Sequence, residues 1–350
     1  MTVKFRKRRL FMSLLIGMTI FLFLPMAMSF MLYEHRFGSR QETPDYLKYE
    51  VAEFDQLQAT QTFFSSNHHQ MLAGVLYKNV EVLQPKGIII ISSGVEAGHN
   101  RYLPEIDYMA RQGYLVFAFD GTGTDLSEGR SIVGLPQAII DLDYAIHYIK
   151  DSESFDDLPL MLYGHGVGGY AAMSVLTKHQ DITAIVERSG FYDSADLMNF
   201  MEEPILGQLS HLLTPYIKLY EWLKFGEYVQ LNGLDALSQT KTHVLFMHSQ
   251  DDDVVSYQQN FAKFVDLFGS IQHFKFMSYQ NRGHDIVINP TLLDTVREQF
   301  EEDYPSVGEM PQDIRRMYHE VLYDLDYRLD VSVMKEIIDF YDQWIVKEYE

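Results

Sequence analysis

The chain has 350 residues, of which 47% are apolar and none is cysteine, and its formal net charge is −21. This much apolar side chain is enough for a sizeable core, which excludes a disordered protein. The lack of cysteine excludes disulfides, thiolate metal sites and a cysteine nucleophile. Residues 1–9 carry a charge of +5, so the remaining residues carry a net charge of −21 − 5 = −26. Such an acidic body repels nucleic acid and anionic lipid headgroups.

The N-terminus combines a basic tail, residues 1–9, with an uncharged apolar stretch, residues 10–32. A helix of that length spans about 35 Å, enough to cross the hydrocarbon of a bilayer. Basic residues before the stretch predict that the tail stays in the cytoplasm and that the globular part lies outside. The alternative is a cleaved signal peptide, because Ala27 and Ser29 have the spacing of a cleavage site.

Residues 33–55 are polar and lack periodicity, so they are predicted to form a short stalk before a globular domain at 56–350. Residues 61–66 and 71–77 are predicted as its opening strands. Further strand-like runs alternate with helical segments, which predicts a mostly parallel sheet with helices on both faces. Residues 191–240 interrupt this alternation and are predicted to form an apolar-rich helical cap inserted between two strands.

Residues 160–172 have the outline of a nucleophile elbow, in which a strand turns sharply into a helix of small residues. Gly164 and Gly168 match the flanking positions of the G-x-S-x-G pattern, and Gly166 stands at its centre. The central residue normally carries the attacking hydroxyl in a strained turn. Glycine adopts that turn with little strain, but it has no Oγ.

Two loops that follow later strands supply further catalytic candidates. Asp252 follows one apolar strand, and His284 follows the next. In serine hydrolases with such an elbow, the nucleophile comes first in the chain, an acidic residue second and the catalytic histidine third. The acidic residue orients the histidine. Asp251 and Asp253 are interpreted as residues that solvate a turn and cap a helix beginning near Ser256.

From about Gln61 onward, these motifs resemble the α/β-hydrolase superfamily, and within it the serine aminopeptidase and lysophospholipase-like branch of Gram-positive bacteria. Residues 87–95 are similar to the strand and oxyanion loop of that family, and residues 114–123 to its next strand and D-x-x-G turn. The resemblance implies an α/β-hydrolase fold.

The resemblance also implies roles for individual residues. Asp252 would orient His284, the backbone N–H groups of Val95 and Val167 would form the oxyanion hole, and residue 166 would attack the substrate. The glycine at position 166 is where this chain departs from the pattern. Loss of a triad nucleophile costs about 10⁶ in turnover.

We therefore expect a membrane-anchored, extracytoplasmic member of the superfamily that is catalytically degenerate and has a ligand-binding or regulatory role. A small apolar or acyl-type molecule is the expected ligand, and no metal or cofactor is expected. The first alternative is an active esterase, lipase or peptidase. In that case a displaced hydroxyl of Ser92, Ser93 or Ser189 would attack, or the His284–Asp252 pair would activate water.

The second alternative is a dinucleotide-binding protein. Gly164, Gly166 and Gly169 also satisfy G-x-G-x-x-G, and Glu187 is then a candidate ribose ligand. Glu96 and His99 are further candidates for the rim of the pocket. At the C-terminus, residues 292–302, 311–325 and 331–349 are predicted helices, and the last is amphipathic and expected to pack on the sheet.

Overall fold

The computed structural model describes residues 2–95, 97–155, 157–288, 298–299, 302, 314, 317 and 329–345. The helices predicted at 292–302 and 311–325 lie almost entirely outside the described residues, and Glu96 lies outside them too.

An eight-stranded sheet lies at the centre of the domain, with the strand order β1-β2-β4-β3-β5-β6-β7-β8. β1 pairs antiparallel with β2, and β2 antiparallel with β4, whereas all the other neighbours are parallel. The predicted, mostly parallel sheet is therefore confirmed. The strands are β1 (Leu57–Ser65), β2 (Met71–Asn79), β3 (Ile88–Ser92), β4 (Leu115–Phe119), β5 (Leu160–His165), β6 (Ala184–Arg188), β7 (His243–Ser249) and β8 (Phe274–Tyr279).

Helices cover both faces of the sheet. The sequence of β3 explains this arrangement. Its side chains alternate between the two faces of the sheet, and all of them before Ser92 are apolar, so both faces must be covered. Ile88 and Ile90 belong to a core shared with α3, α4 and α8, and Ile89 and Ile91 to one shared with α2 and α9. The described helices are α1 (Thr2–Phe37), α2 (Leu103–Arg111), α3 (Gln137–Lys150), α4 (Val167–Ser174), α5 (Ser194–Leu206), α6 (Thr214–Phe225), α7 (Gly233–Gln239), α8 (Phe261–Phe268) and α9 (Val331–Ile345).

α1 is a single helix that continues past the apolar stretch. Its segment Phe11–Phe37 is long and apolar enough to cross a membrane, with a mean hydropathy of 2.1. By length and composition alone, a membrane anchor and a signal sequence both fit this segment.

The segment after the apolar stretch packs against the domain, so the stalk predicted at 33–55 is wrong. Tyr33, Phe37, Tyr49 and Phe54 are all buried. Tyr33 and Phe37 lie one helical turn apart on α1, with ring centroids 4.8 Å apart, and Tyr49 and Phe54 form a second pair at 6.1 Å. Each pair belongs to a core that distant parts of the chain complete. The segment is therefore a strap that fixes the end of α1 to the globular body.

The inserted helices lie where the cap was predicted, between β6 and β7, and comprise α5, α6 and α7. Two other boundaries differ from prediction. β1 begins at Leu57 rather than at Gln61, and α8 begins at Phe261 rather than near Ser256.

Candidate active site

The turn between β5 and α4 has the geometry of a nucleophile elbow. Gly166 stands alone between the two elements, with φ 55° and ψ −112°, a conformation that is strained for any residue with a Cβ. The flanking glycines allow close packing. A Cβ on Gly164 would overlap the backbone of Gly168, and a Cβ on Gly168 would overlap the carbonyl oxygen of Ser92.

The imidazole of His284 lies directly over Gly166. A Cβ on residue 166 would be 3.0 Å from Nε2 of His284 and 3.4 Å from Cε1. The other ring nitrogen, Nδ1, lies 2.9 Å from Oδ2 of Asp252. The structure thus brings together Gly166, His284 and Asp252. Nε2 hydrogen-bonds to no residue that the structure describes, and it faces the space where a serine side chain would be.

Asp252 is held by a second histidine as well. Nε2 of His248, at the end of β7, lies 3.1 Å from Oδ2 of Asp252, and Oδ1 accepts the N–H groups of Val254 and Val255 at 2.9 Å each. Burial would raise the pKa of Asp252, but the hydrogen bonds with His248 and His284 outweigh burial and lower the pKa. The carboxylate is therefore ionised at neutral pH and can orient His284.

His248 was not among the site residues predicted from the sequence. Burial would lower its pKa, but its bond with the Asp252 carboxylate outweighs burial and raises the pKa. The sequence does contain a sign of this contact, because His248 and Asp252 are four residues apart at the end of a predicted strand.

Asp251 has a structural role that the sequence analysis also missed. Its carboxylate accepts the N–H groups of Arg282 and Gly283 at 3.2 and 3.3 Å, so it ties the loop of His284 to the loop of Asp252. Asp251 is exposed, as expected of a residue that solvates a turn, but it does not cap a helix near Ser256, because α8 begins at Phe261. Asp253 is exposed as well.

A chain of hydrogen bonds behind the elbow joins two loops of the site. The N–H of Gly94 donates to the hydroxyl of Tyr102 at 3.0 Å, and this hydroxyl lies 2.9 Å from Nδ1 of His165. Nε2 of His165 lies 3.3 Å from the carbonyl oxygen of His284. Burial first, and then the charge of Arg188, hold the pKa of His165 well below its usual value.

Only one tautomer of neutral His165 is compatible with this series of hydrogen bonds. Since Tyr102 accepts from Gly94, its O–H donates to Nδ1 of His165, and Nε2–H of His165 then donates to the carbonyl of His284. The bonds position the loop of Gly94 relative to that of His284. Sequence reasoning missed both Tyr102 and His165, because neither role shows in local spacing.

Val95 and Val167 both line a cavity of about 60 Å³ beside the elbow, together with Ser92, Ser93 and Gly94. Val167 is the first residue of α4, so its N–H points out of the helix N-terminus, where partial positive charge favours an anionic oxygen. A cavity of this volume has room for a few water molecules or a short acyl group. Its far wall includes Phe37, from the end of α1, and Phe119.

None of the alternative nucleophiles, Ser92, Ser93 and Ser189, forms a hydrogen bond with the imidazole of His284. Oγ of Ser189 donates to the backbone carbonyl of His284 at 2.8 Å and not to its ring. Ser92 and Ser93 line the cavity but form no hydrogen bond with His284. His99 is buried, with Nδ1 2.7 Å from Oδ1 of Asp120, so it is not at the rim.

The structure also argues against the dinucleotide interpretation. The glycine turn follows β5, the fifth strand in chain order, whereas the dinucleotide fingerprint follows the first strand of its unit. Glu187 is fully buried on β6, where its carboxylate accepts the N–H of Gly190. A ribose hydroxyl cannot reach this carboxylate.

Within the described part of the chain, Asp143, His147 and His179 have side-chain atoms close enough to hold a metal ion. Asp143 is already satisfied by Nε2 of His179 at 2.7 Å, Nζ of Lys178 at 2.6 Å and the hydroxyl of Tyr228 at 2.7 Å. The lysine ammonium neutralises the carboxylate and disfavours a divalent cation, so we assign this cluster a structural role.

The strand order and the elbow define an α/β-hydrolase-fold protein, and comparisons with known proteins agree. The esterase Pf2001 of Pyrococcus furiosus superposes with a TM-score of 0.53 at 16% identity, covering 76% of this chain and 98% of the esterase. Carboxyl esterase 2 of the fungus Tuber melanosporum gives a TM-score of 0.51 at 16% identity, with 70% and 82% covered. At such low identity these likenesses show the fold alone.

Within that class, residues 83–232, less than half of the chain, match the serine aminopeptidase family S33. A shorter segment is similar to monoglyceride lipase of Rattus norvegicus, at 32% identity over 92 residues, which are 26% of this chain and 30% of the lipase. The match thus spans less than a third of the length of that curated relative.

Proposed function

We propose that the protein is a membrane-anchored, extracytoplasmic binding or regulatory protein that has lost the covalent step of acyl transfer. The observation that carries this proposal is Gly166. It occupies the nucleophile turn with φ 55° and ψ −112°, directly under Nε2 of His284, and it offers no atom that can attack. A working triad needs a hydroxyl at this point.

The ligand is inferred from what remains around the elbow. The N–H groups of Val95 and Val167 suit a carbonyl or carboxylate oxygen, and the ionised Asp252 supports His284 as a further hydrogen-bonding partner. Phe37 and Phe119 give the cavity an apolar wall. A short acyl group with its carbonyl oxygen at the two amides fits this arrangement.

The anchor proposal rests on the continuity of α1. The helix that is long enough to cross a bilayer continues without a break to Phe37, and Tyr33 and Phe37 are part of the domain core. The basic residues that precede it favour a cytoplasmic N-terminus and an extracytoplasmic domain. A cleaved signal peptide remains the alternative, and the size of the mature chain in membranes decides between the two.

The test of function is binding without turnover. Full-length protein in detergent is titrated with butyrate and with a butyrate ester, while the ring protons of His284 are followed by NMR and release of the alcohol is assayed. The proposal predicts a saturable shift and no hydrolysis above the rate of a His284→Ala variant. Hydrolysis that disappears in His284→Ala would contradict it.

One observation favours a second function, slow hydrolysis by activated water. Nε2 of His284 faces the space left by Gly166, and the ionised Asp252 would stabilise the imidazolium that forms when His284 takes a proton from water. This function predicts turnover that depends on both Asp252 and His284 but shows no burst of an acylated protein.

A further inference from the structure

The cap carries an exposed apolar surface, which we call the cap face. It lies on α5, on α6 and on the turn between them. Isolated exposed apolar residues are common in proteins, but a group of large ones on adjacent elements marks an interaction surface. The members, with their exposed fractions, are Ile205 (75%), Leu209 (63%), Leu212 (58%), Leu219 (46%), Trp222 (52%) and Leu223 (67%).

Contacts of α1 with Leu213 and with α6 fix the height of the cap face along α1. Oγ of Ser29 donates to the carbonyl oxygen of Leu213 at 3.4 Å, and the rings of Phe30 and Tyr220 meet edge to face at 5.1 Å. Ser29 lies about 4–5 Å before the end of the uncharged stretch at residue 32, at 1.5 Å per residue. Leu213, and Leu212 beside it, are therefore held at a level that a bilayer around α1 would cover.

The next contacts along α1 are polar. The hydroxyl of Tyr33 donates to Glu221 at 3.0 Å, and Nε of Arg36 donates to Glu202 at 2.8 Å. Phe30 meets an aromatic ring, whereas Tyr33 and Arg36 bond carboxyl groups. This change places the boundary between hydrocarbon and headgroups between Phe30 and Tyr33. Trp222 follows Glu221 directly and so lies near that boundary.

We propose that the cap face is embedded in the interfacial layer of the same bilayer that α1 crosses, with Trp222 among the headgroups and Leu212 reaching the acyl chains. This inference rests on the proposal that α1 is retained as an anchor. Interfacial helices bury an apolar face to a depth of about 5–10 Å. Because the body of the protein is acidic, the attraction comes from apolar burial rather than from anionic headgroups.

One consequence concerns the route to the cavity. Phe37 lines the cavity and is five residues beyond Leu32, about 8 Å along the helix. A ligand that leaves the bilayer at the cap face thus has a short path to the elbow.

The two tryptophans of the chain provide the test. The variant Trp344→Phe keeps only Trp222, and the variant Trp222→Phe keeps only Trp344, which stacks on His243 with ring centroids 3.3 Å apart. Each full-length variant is reconstituted into phosphatidylcholine vesicles with or without bromine near the headgroup end of the acyl chains. An apolar face buried to about 5–10 Å places an indole beside this bromine, so we expect bromine to reduce Trp222 emission by about half and to leave Trp344 emission unchanged.

Flotation of the vesicles after an alkaline wash separates the two proposals. Protein that floats while Trp222 is unaffected by bromine would overturn the cap-face proposal alone. Protein that does not float would overturn the anchor and the cap face together. Trp222 emission that responds to protein dilution instead of to bromine would show that a second copy covers the cap face, which also overturns the proposal.

Discussion

Replacing Gly166 with serine is expected to destabilise the fold and to restore acyl transfer. A residue with a Cβ at φ 55° and ψ −112° costs about 1–3 kcal/mol in backbone strain. The new Cβ would lie 3.0 Å from Nε2 of His284, so the imidazole ring must also move away by a few tenths of an ångström. Gly166→Ser and Gly166→Ala should therefore each lower the free energy of unfolding by about 1–3 kcal/mol, measured by denaturant titration.

Only the serine variant gains a nucleophile. Its Oγ would lie beside Nε2 of His284, which Asp252 already orients through a 2.9 Å bond. A complete triad is worth about 10⁶ in turnover, so even a poorly aligned one should hydrolyse a p-nitrophenyl butyrate at least about 100-fold faster than Gly166→Ala does. The double variant Gly166→Ser/His284→Ala should lose this gain.

Two results would contradict the expected behaviour of Gly166→Ser. If Gly166→Ser and Gly166→Ala both fold and hydrolyse the ester equally slowly, the His284–Asp252 pair and the amides of the cavity do not form a competent site. If neither variant is less stable than the wild type, the turn is not strained and the elbow geometry is wrong.

Two further predictions concern stability. Burial raises the pKa of Glu187 from 4.5 to about 7, so the folded state holds this proton more tightly than the unfolded state. The resulting stability is complete below pH 4.5 and is lost as pH rises to about 7, a loss of about 3 kcal/mol. Glu187→Gln should flatten this decline in unfolding titrations between pH 4.5 and 8, and an unchanged slope would contradict the assignment. Gly168→Ala should lower the free energy of unfolding by more than about 3 kcal/mol or abolish folding, because its Cβ overlaps the Ser92 carbonyl. A soluble variant with wild-type stability would show that α4 and β3 are not so closely packed.

The sheet could be predicted from sequence because its signals are local. The run of isoleucines in β3 indicates a strand buried on both faces, and the glycine spacing around Gly166 indicates the elbow. The chain order of Asp252 and His284 then pointed to residues that the fold does bring into contact.

The rest depends on contacts between distant segments, which leave no periodic pattern. Tyr33 bonds Glu221, 188 residues away, so the packing of the strap could not be inferred from its polar composition. The link from Tyr102 to His165 spans 63 residues and exists only because the loop of Gly94 and the elbow meet at the same edge of the sheet. The role of Asp251 likewise required the position of the Gly283 amide.

We propose that the unmodified protein has no nucleophile in its cavity, and covalent labelling detects such a nucleophile if it is present. Full-length wild type and Gly166→Ser are incubated with a fluorophosphonate, and their intact masses are measured. We predict one added phosphonyl group on Gly166→Ser, absent when His284 is also replaced by alanine, and no added mass on the wild type. A phosphonylated serine anywhere in the wild-type cavity would contradict the account.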